Sequence, residues 1–374
     1  MLQRVHLMTM PTAAAFHNIM AEPVPPGSLV LLTGINGHVA SAIALRLLER
    51  GYRVRGTVRV LSSARTVHDV LTKQFGTERL EIIAVGEDIA KEGVFDSAVK
   101  GVDAVIHTPS PVMLDSKHPE EQFKPAVNGT LNILRSAQQE PSVKRFLWFG
   151  SISAVCFTAK DPTKEVITRD DWNVVSEEVV KNPDDPELGF HAYIASKVVA
   201  ERAAWKFMEE EQPSFSLTTV LGSWVTGPVF NEVPKPPRLD ATLGMVHSVF
   251  AEPPRLTGIS PYGGIIWCHL FDIADLFVNS LTSPLPLNKR LIGAAGRTSW
   301  VAVAEILRNV WPERHYPPAQ EDAPTVRFPG GDKAEFDTAL ERELLGGKWR
   351  SLGDAVVSCA RDLTEKEAKG WDKP

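Results

Sequence analysis

The chain has 374 residues, of which 43% are hydrophobic and 23% are charged, values typical of a globular protein that buries a core. Its 46 acidic residues outnumber its 40 lysines and arginines, so a formal net charge of -6 offers no basic excess for binding nucleic acid. No apolar run approaches the roughly 18–20 residues that a membrane helix needs. We therefore expect neither nucleic acid nor a membrane as a partner.

The cysteines are Cys156, Cys268 and Cys359, which lie far apart and form no CxxC pair. Such a sparse, odd set argues against a disulfide framework or a zinc site and fits a reducing compartment, the cytoplasm. No cluster of histidine, cysteine and acidic residues has the spacing of metal ligands, so no metal is expected.

Residues 1–27 precede the first apolar run and end in the breaker PVPPG. They lack the continuous apolar stretch of a secretion signal. The absence of acidic residues before Glu22 is also compatible with an organellar presequence, but the proline-rich end favours a flexible extension.

From residue 28 onward, short apolar runs alternate with helical patterns. The predicted strands are SLVLLTG (28–34), YRVRGTVR (52–59), LEIIAVGEDI (80–89), VDAVIHTPS (102–110), VKRFLWFGS (143–151) and FSLTTVLGSWVTGP (215–228). The predicted helices are HVASAIALRLLERG (38–51), AVNGTLNILRSAQQ (126–139) and residues 190–211. Strands that alternate with helices indicate an α/β fold with a doubly wound parallel sheet of the Rossmann type.

The alternation weakens after about residue 228, where proline-rich pieces such as VPKPPR and EPPRL interrupt it. We predict a Rossmann domain over residues 28–228 and a smaller C-terminal lobe over residues 229–374, which would bind the substrate. Residues 263–298 are expected to return to the Rossmann core.

The first turn from strand to helix reads TGINGHVA (33–40). In such a turn one glycine lets the chain leave the strand, another lets the backbone approach a pyrophosphate, and a small third residue lets the helix pack on the sheet. The helix N-terminus then offers N–H groups and a positive dipole end to the phosphates. Because the motif follows a strand and opens a helix, it predicts a dinucleotide site. The candidate residues are Gly34, Asn36, Gly37, His38 and Val39.

The end of the second strand distinguishes NAD from NADP. An acidic residue there would bind the ribose 2′-hydroxyl, whereas a cation accommodates a 2′-phosphate. The stretch VRGTVRVLSSAR (54–65) has three arginines, and no acidic residue follows it before Asp69. Arg59 is best placed, with Ser62 and Ser63 as candidate donors, because a guanidinium matches phosphate geometry. NADPH is therefore the expected cofactor; the alternative is that the arginines are ordinary solvated side chains.

Two further strand ends fit a cofactor groove. Asp88 and Ile89 end the third strand, where a carboxylate and an apolar wall would suit an adenine. Thr108 and Ser110 follow the fourth strand, close to the expected path of the cofactor.

The segment HAYIASKVVAERAAW (191–205) holds a tyrosine and a lysine four residues apart, which by itself is also typical of a surface pair. Together with TGINGHVA, VRGTVR, VNGTLNILRSA and VKRF...GSISAV, it resembles the extended short-chain dehydrogenase/reductase family. The resemblance is closest to the fungal NADPH-dependent aldehyde and ketone reductases, relatives of plant dihydroflavonol reductase. It covers roughly residues 28–366 and includes DDWN (170–173) and FDIADLFV (271–278).

The resemblance places the YxxxK motif on Tyr193 and Lys197, the catalytic serine on Ser151 and a supporting asparagine on Asn128. Tyr193 would protonate the substrate oxygen, Lys197 would bind the nicotinamide ribose and Ser151 would hydrogen-bond the substrate carbonyl. A spacing of four puts the phenol and the ammonium on one helix face. We expect the ammonium to lower the pKa of the phenol from its ordinary value near 10.

The chain departs from the family pattern at two glycines. Gly150 stands where the family has a second serine or threonine, and Gly222 stands where it has proline. We expect a looser contact on the nicotinamide side and a more flexible substrate loop. Ser153 is a rival for the role of Ser151, and His107 and His191 are interpreted as packed or solvated residues.

Simple carbonyl reduction fits the residues best. Dehydratases of this fold need an extra acid and base beside the serine, and here Ile152, Ser153 and Ala154 follow it. The resemblance implies a hydrophobic, aromatic or polyketide-type carbonyl substrate of fungal secondary metabolism. The candidate substrate-facing residues, each equally compatible with a core position, are Met113, Phe157, Trp224, Val225, Phe230, Tyr262 and Trp267.

A second class of function stays open, because some proteins of this fold bind NADP without catalysis and act as regulatory or scaffolding modules. Loss of the tyrosine or lysine would mark such a protein, and both are present here. The resemblance implies a monomer or a homodimer.

Overall fold

The computed structural model describes residues 22–109, 118–156, 165–236, 239, 241–251, 254, 264–316 and 335–371. Its strands are β1 (Leu29–Thr33), β2 (Arg53–Val58), β3 (Leu80–Ala84), β4 (Ala104–His107), β5 (Arg145–Ser151), β6 (Val166–Ile167), β7 (Ser216–Gly222), β8 (Trp224–Thr226), β9 (Gly264–His269), β10 (Lys289–Gly293), β11 (Gly296–Ser299) and β12 (Glu335–Phe336). Its helices are α1 (His38–Glu49), α2 (Arg65–Phe75), α3 (Pro119–Gln138), α4 (Val174–Val179), α5 (Leu188–Glu211), α6 (Ala241–Phe250), α7 (Leu270–Ser280), α8 (Trp300–Val310), α9 (Ala339–Leu344) and α10 (Leu352–Ala368).

The main sheet has seven parallel strands in the order β10-β7-β5-β4-β1-β2-β3. The strand order reverses at β1 and β4, so the crevice beyond their carboxyl ends is where a ligand of this fold binds. The central strands β1, β4 and β7 are almost wholly buried because helices cover both faces of the sheet. The predicted α/β fold of the Rossmann type is confirmed.

Each face of the sheet has its own apolar core. Helices α1 and α7 pack on one face, with Ile43, Leu47 and Phe277 fully buried between them and the strands. Helices α3 and α5 pack together on the other face, around residues such as Ile133 and Ala204. A third core joins α6, α8 and α10 to β9 in the C-terminal part of the chain.

The sixth predicted strand is broken into two. Ser223 interrupts it, and both its amide and its hydroxyl donate to the carbonyl of Gly293, at 3.1 and 2.7 Å. Beyond that point β8 leaves the main sheet and joins β9 and β11 in a separate three-stranded sheet. Of residues 263–298, α7 and β10 lie on the main sheet, whereas β9 belongs to the smaller one.

Helix α3 starts earlier than predicted, and helices α2, α4 and α6–α10 were not predicted. Helix α3 begins at Pro119, seven residues before the predicted start at 126, and tolerates Pro125 inside its N-terminal part. Helix α2 was not predicted, since only Val67 and Leu71 on its inner face are buried hydrophobic residues. Its position directly after β2 puts its N-terminus at the crevice.

A buried ion pair fixes α5 to the edge of the sheet. The Glu201 carboxylate accepts from Arg290 Nε and Nη2 at 2.8 and 2.9 Å, and the two side chains are 0% and 2% exposed. Glu201 also accepts from the hydroxyl of Thr219 at 2.8 Å. A bidentate pair of this kind is directional, so it determines how α5 sits against β7 and β10.

Arg290 also holds the loop that contains the sequence DDWN. Its Nη1 donates to the carbonyls of Arg169 and Asp171 at 2.8 and 2.6 Å, and its guanidinium lies 3.8 Å from the centre of the Trp172 ring. The same arginine therefore positions both the long helix α5 and the loop that precedes α4.

We expect Arg290→Met to lower the free energy of unfolding by about 3–5 kcal/mol, because it leaves the Glu201 carboxylate buried without its cation. Urea unfolding measures this change. Arg202→Met is the matched control, since Arg202 also lies over Trp172 but its side chain is 37% exposed and pairs with Glu177. That control should cost less than about 1 kcal/mol. Equal losses in the two variants would contradict the assigned role of the buried pair.

Candidate active site

The turn after β1 has a shape that only glycine allows. Gly34 has a φ of +68°, and a Cβ there would lie 2.9 Å from the Pro109 ring and 3.3 Å from Thr108 Oγ1. Thr108 is itself held by Thr33, to whose carbonyl its hydroxyl donates at 2.7 Å. The predicted residues Gly34 and Thr108 therefore meet at the crevice, where β1 and β4 end. Ser110, also predicted here, lies outside the described residues.

The N-terminus of α1 suits an anion. Its N-cap residue is Gly37, no side chain caps it, and its first turn has no acidic residue. The amide groups and the positive end of the helix dipole are therefore available for phosphates. The side chain of His38 is buried, so His38 would contact a phosphate through its backbone amide, and Val39 packs partly against the core.

The end of β2 meets the glycine turn. Asn36 Nδ2 donates to Ser63 Oγ at 3.2 Å, and Ser63 in turn donates to the carbonyl of Val60 at 2.7 Å. Arg55 is occupied by Glu81, at 2.8 Å, and by backbone carbonyls. Arg59 is exposed and makes no hydrogen bond or ion pair within the part of the chain that the structure describes. Of these two arginines, Arg59 is the one available to a ligand.

The predicted adenine contacts lie beyond β3, which ends at Ala84 and not at Ile89 as predicted. The Asp88 carboxylate is exposed and accepts from the amide of Ala90 at 2.9 Å, so it also shapes its own turn. Ile89 is partly buried against Gly129 of α3, and its carbonyl accepts from Asn132 at 3.3 Å.

Tyr193 and Lys197 lie together on α5, as their spacing predicts. The Lys197 ammonium is 4.8 Å from the centre of the Tyr193 ring. Lys197 is buried, whereas Tyr193 remains partly exposed. The two side chains can therefore act on one bound molecule.

The predicted direction of the Tyr193 shift is wrong for the protein without ligands. Burial raises the pKa of the Tyr193 phenol to about 12, because the phenolate would lose its hydration. Burial also lowers the pKa of Lys197 to about 7, so this lysine is only partly charged near neutral pH and attracts a phenolate weakly. Desolvation therefore sets the direction of both shifts.

Ser151 ends β5 and begins a short 3-10 helix over Ile152–Ala154. Its Oγ accepts from the amide of Ser153 at 3.2 Å and from the hydroxyl of Ser153 at 2.8 Å. Helix α5 packs directly against this turn, which brings the serine and the tyrosine elements together. Ser151 is partly exposed, whereas its rival Ser153 is buried.

A buried chain of hydrogen bonds that the sequence analysis missed joins the serine turn to α5. Asn173 Nδ2 donates to the carbonyl of Ser153 at 2.9 Å, and its Oδ1 accepts from the amide of Ser176 at 3.1 Å. Ser176 Oγ lies 3.1 Å from Nδ1 of His191, two residues before the tyrosine. Asn173 caps α4, and the pattern of an asparagine three residues before a serine was the available signal.

Helix α3 carries two asparagines in different surroundings. Asn128 is exposed and makes no hydrogen bond among the described residues. The buried asparagine of this helix is Asn132, which is 5% exposed and bonds to the Ile89 carbonyl. The role of Asn128 in catalysis stays a prediction.

Packing explains both positions at which the chain has glycine where the family has another residue. A Cβ on Gly150 would lie 2.5 Å from the Trp148 ring and 2.7 Å from Leu221. A Cβ on Gly222 would lie 2.8 Å from the Phe149 ring, and Gly222 is a buried residue of β7 rather than part of a loop. Neighbouring side chains therefore occupy the space that the family's usual residues would fill.

The candidate substrate-facing residues separate into two groups. Val225 and Trp267 are buried in apolar cores. Trp224 and Phe230 are partly exposed and contact Trp300 and Phe271, with ring centres 5.1 and 5.7 Å apart. Met113, Phe157 and Tyr262 lie outside the described residues.

His107 and His191 are both buried, as the packed interpretation predicts. His107 Nδ1 lies 2.9 Å from Thr33 Oγ1, and burial lowers its pKa to about 3, which keeps the imidazole neutral. Within the described ranges no cluster of histidine, cysteine and acidic residues could hold a metal, and no helix is long and apolar enough to cross a membrane.

Comparison with known proteins adds four findings. Residues 30–239 match the model of the NAD dependent epimerase/dehydratase family. The chain is 35% identical to aldehyde reductase 2 of Sporidiobolus salmonicolor, over 92% of this chain and 97% of that protein. It is 34% identical to ketoreductase adrE of Penicillium rubens, over 81% of this chain and 87% of that protein. The structure of yeast methylglyoxal/isovaleraldehyde reductase Gre2 complexed with NADPH is similar, with a TM-score of 0.78 and 27% identity over 91% of this chain and 99% of that one.

The burial of Lys197 should give the ligand-free protein a distinctive pH dependence. Between its folded pKa of about 7 and its ordinary value of 10.5, the unfolded chain binds one proton more than the folded chain. The free energy of unfolding therefore gains a contribution that rises with pH, by ~1.4 kcal/mol per pH unit. The free energy of unfolding should be measured with urea from pH 7.5 to 9. Its slope against pH should be smaller in Lys197→Met than in the wild type by that amount.

Lys206→Met is the control for this slope. Lys206 lies on the same helix, but its side chain is 53% exposed. Its slope should equal that of the wild type. A Lys197→Met slope that also equals the wild type would contradict the buried, weakly basic lysine.

Proposed function

The chain belongs to the NAD dependent epimerase/dehydratase family, and from this premise we propose that it reduces a ketone or aldehyde to an alcohol with NADPH as the hydride donor. It is an oxidoreductase. The observation that carries the proposal is the Tyr193–Lys197 pair, 4.8 Å from ring centre to ammonium, on the helix that packs against the Ser151 turn.

The residues of the crevice fit NADPH. The uncapped α1 N-terminus would hold the pyrophosphate, and Gly34 and Thr108 would line its path. Arg59 would hold the 2′-phosphate together with Ser63, whose hydroxyl accepts a hydrogen bond from Asn36 of the glycine turn. The bound cofactor supplies a hydride to the carbonyl carbon.

The chain's own residues position the carbonyl and supply the proton. The Ser151 hydroxyl would donate a hydrogen bond to the carbonyl oxygen and fix its orientation. Tyr193 would then protonate that oxygen. A pKa of about 12 keeps the phenol protonated at neutral pH, which is the form that an acid needs. The phenolate left behind would be stabilised by Lys197 in its charged form.

The surroundings of Ser151 support reduction over dehydration. The residues after it, Ile152, Ser153 and Ala154, offer neither an acid nor a second base. The candidate substrate-facing residues Trp224 and Phe230 are aromatic and partly exposed, which supports a hydrophobic or aromatic substrate. We propose a hydrophobic, aromatic or polyketide-type carbonyl compound of fungal secondary metabolism, in keeping with relatives named aldehyde reductase and ketoreductase.

The proposal includes a cytoplasmic location and a monomeric or homodimeric state. The cysteines are few, odd in number and far apart in the sequence, which supports a reducing compartment.

NADPH oxidation should be measured with aromatic, aliphatic and β-keto carbonyl compounds for the wild type and Tyr193→Phe. We expect turnover by the wild type and a kcat about 10²–10⁴ lower in the variant, because the proton donor is lost. Tyr316→Phe is the control; its hydroxyl donates to the Leu307 carbonyl at 3.0 Å in the C-terminal part, and kcat should not change. Tight NADPH binding without turnover on any compound would instead indicate a binding module.

Arg59→Ala should raise the KM for NADPH about tenfold and leave the KM for NADH unchanged, because it removes one charge-assisted contact to the 2′-phosphate. The KM for each cofactor is measured with the carbonyl compound of the panel that gives the highest turnover. Arg53→Ala is the control, since Arg53 is exposed at the opposite end of the same strand and bonds to the Gly27 carbonyl. A wild-type preference for NADH would overturn the assignment of Arg59.

A further inference from the structure

Ser153 lies directly behind Ser151 and makes two contacts with its hydroxyl oxygen. The amide of Ser153 donates to Ser151 Oγ at 3.2 Å, and Ser153 Oγ lies 2.8 Å from the same atom. Ser153 is 2% exposed, whereas Ser151 is partly exposed to the crevice. The pair thus has an inner hydroxyl shielded from water and an outer one that a ligand can reach.

Burial determines which hydroxyl donates. A hydroxyl has one proton and two acceptor positions, and its proton can rotate. Within the described residues, Ser151 Oγ is the one hydrogen-bond partner of Ser153 Oγ. If Ser151 donated inward, the buried Ser153 proton would lack an acceptor, which is costly. Ser153 therefore donates and Ser151 accepts.

This arrangement leaves Ser151 one role toward a ligand. Its oxygen accepts from the amide and the hydroxyl of Ser153, so both of its acceptor positions are filled. Its own proton then points away from Ser153, toward the crevice. A hydroxyl in this state is a donor, which is what a substrate carbonyl requires.

We propose that Ser153 is a positioning residue that commits Ser151 to donate its hydrogen bond to the substrate carbonyl oxygen. The inference rests on the proposed function. Ser151 keeps its proton throughout, and the proton that the product oxygen gains comes from Tyr193. Ser153 is thus no rival of Ser151, since it acts only through it.

The surrounding structure holds Ser153 in this position. Asn173 donates to its carbonyl at 2.9 Å, and Asn173 is itself 4% exposed and bound to the N-terminus of α4. On the other side of Ser151, Gly150 has no hydroxyl, and the Trp148 ring fills the adjacent space. The second hydroxyl beside the catalytic serine therefore comes from the residue two positions after it.

A double-mutant cycle with Ser151→Ala, Ser153→Ala and the double variant tests the proposal. With NADPH and the best carbonyl substrate, Ser151→Ala should lower kcat about 100-fold or more. Ser153→Ala should lower kcat about five- to tenfold, with little change in the Kd for NADPH. The double variant should be no slower than Ser151→Ala, because Ser153 has nothing to position once the outer hydroxyl is gone.

Ser280→Ala is the matched control for removing a buried hydroxyl. Ser280 is fully buried on α7, and its hydroxyl donates to the Leu276 carbonyl at 2.6 Å. Its kcat should match the wild type. If Ser153→Ala does not fold, Ser153→Cys keeps a side chain of similar size with a weaker donor, and the same non-additivity is expected.

The outcomes separate this inference from the proposed function. If the double variant loses kcat by the product of the two single-variant losses, Ser153→Ala has a general structural effect. That result would overturn the positioning role. An unchanged kcat in Ser153→Ala would overturn it as well. A wild type that reduces no carbonyl, or a fully active Ser151→Ala, would overturn the proposed function and this inference with it.

Discussion

The ion pair between Glu201 and Arg290 is the constraint on which the rest of the site depends. Glu201 lies one helical turn beyond Lys197, and Arg290 lies on the edge strand of the main sheet. Both side chains are buried, so any slide or rotation of α5 would leave a charge unpaired in a dry interior. The ion pair therefore determines the position of α5 and, with it, the position of Tyr193 relative to the strand ends.

The same arginine extends this constraint to the serine turn. It binds carbonyls of the loop that leads into Asn173, and Asn173 bonds to Ser153 behind the outer serine. A continuous series of polar contacts thus runs from the sheet edge through the loop to both elements of the site. Arg290, Asn173, Ser176 and His191 of this series are buried and hydrogen-bonded, which favours one arrangement of the two elements.

Burial also sets the protonation of the site. It keeps Tyr193 in its acid form and makes Lys197 a weak base in the protein without ligands. A negatively charged cofactor beside Lys197 would favour its ammonium form. Under the proposed function, cofactor binding would therefore raise the charge of Lys197 and so stabilise the phenolate of Tyr193.

The fold and much of the site could be predicted from short sequence patterns. The glycine turn, the parallel strands and the Tyr193–Lys197 pair depend on local spacing, which a single sequence displays. The ion pair of Glu201 and Arg290 joins residues 89 positions apart, and no local pattern links them. The direction of the Tyr193 shift was wrong for a similar reason, because burial depends on tertiary packing rather than on the neighbouring residue in the helix.

The packing of Trp148 over Gly150 has a consequence for substitution at this position. A Cβ on residue 150 would lie 2.5 Å from the indole ring and 2.7 Å from Leu221. A serine or threonine at position 150 therefore requires both neighbours to move, and its effect on stability should depend on which residues stand at 148 and 221. Substitutions at these three positions are thus expected to be non-additive.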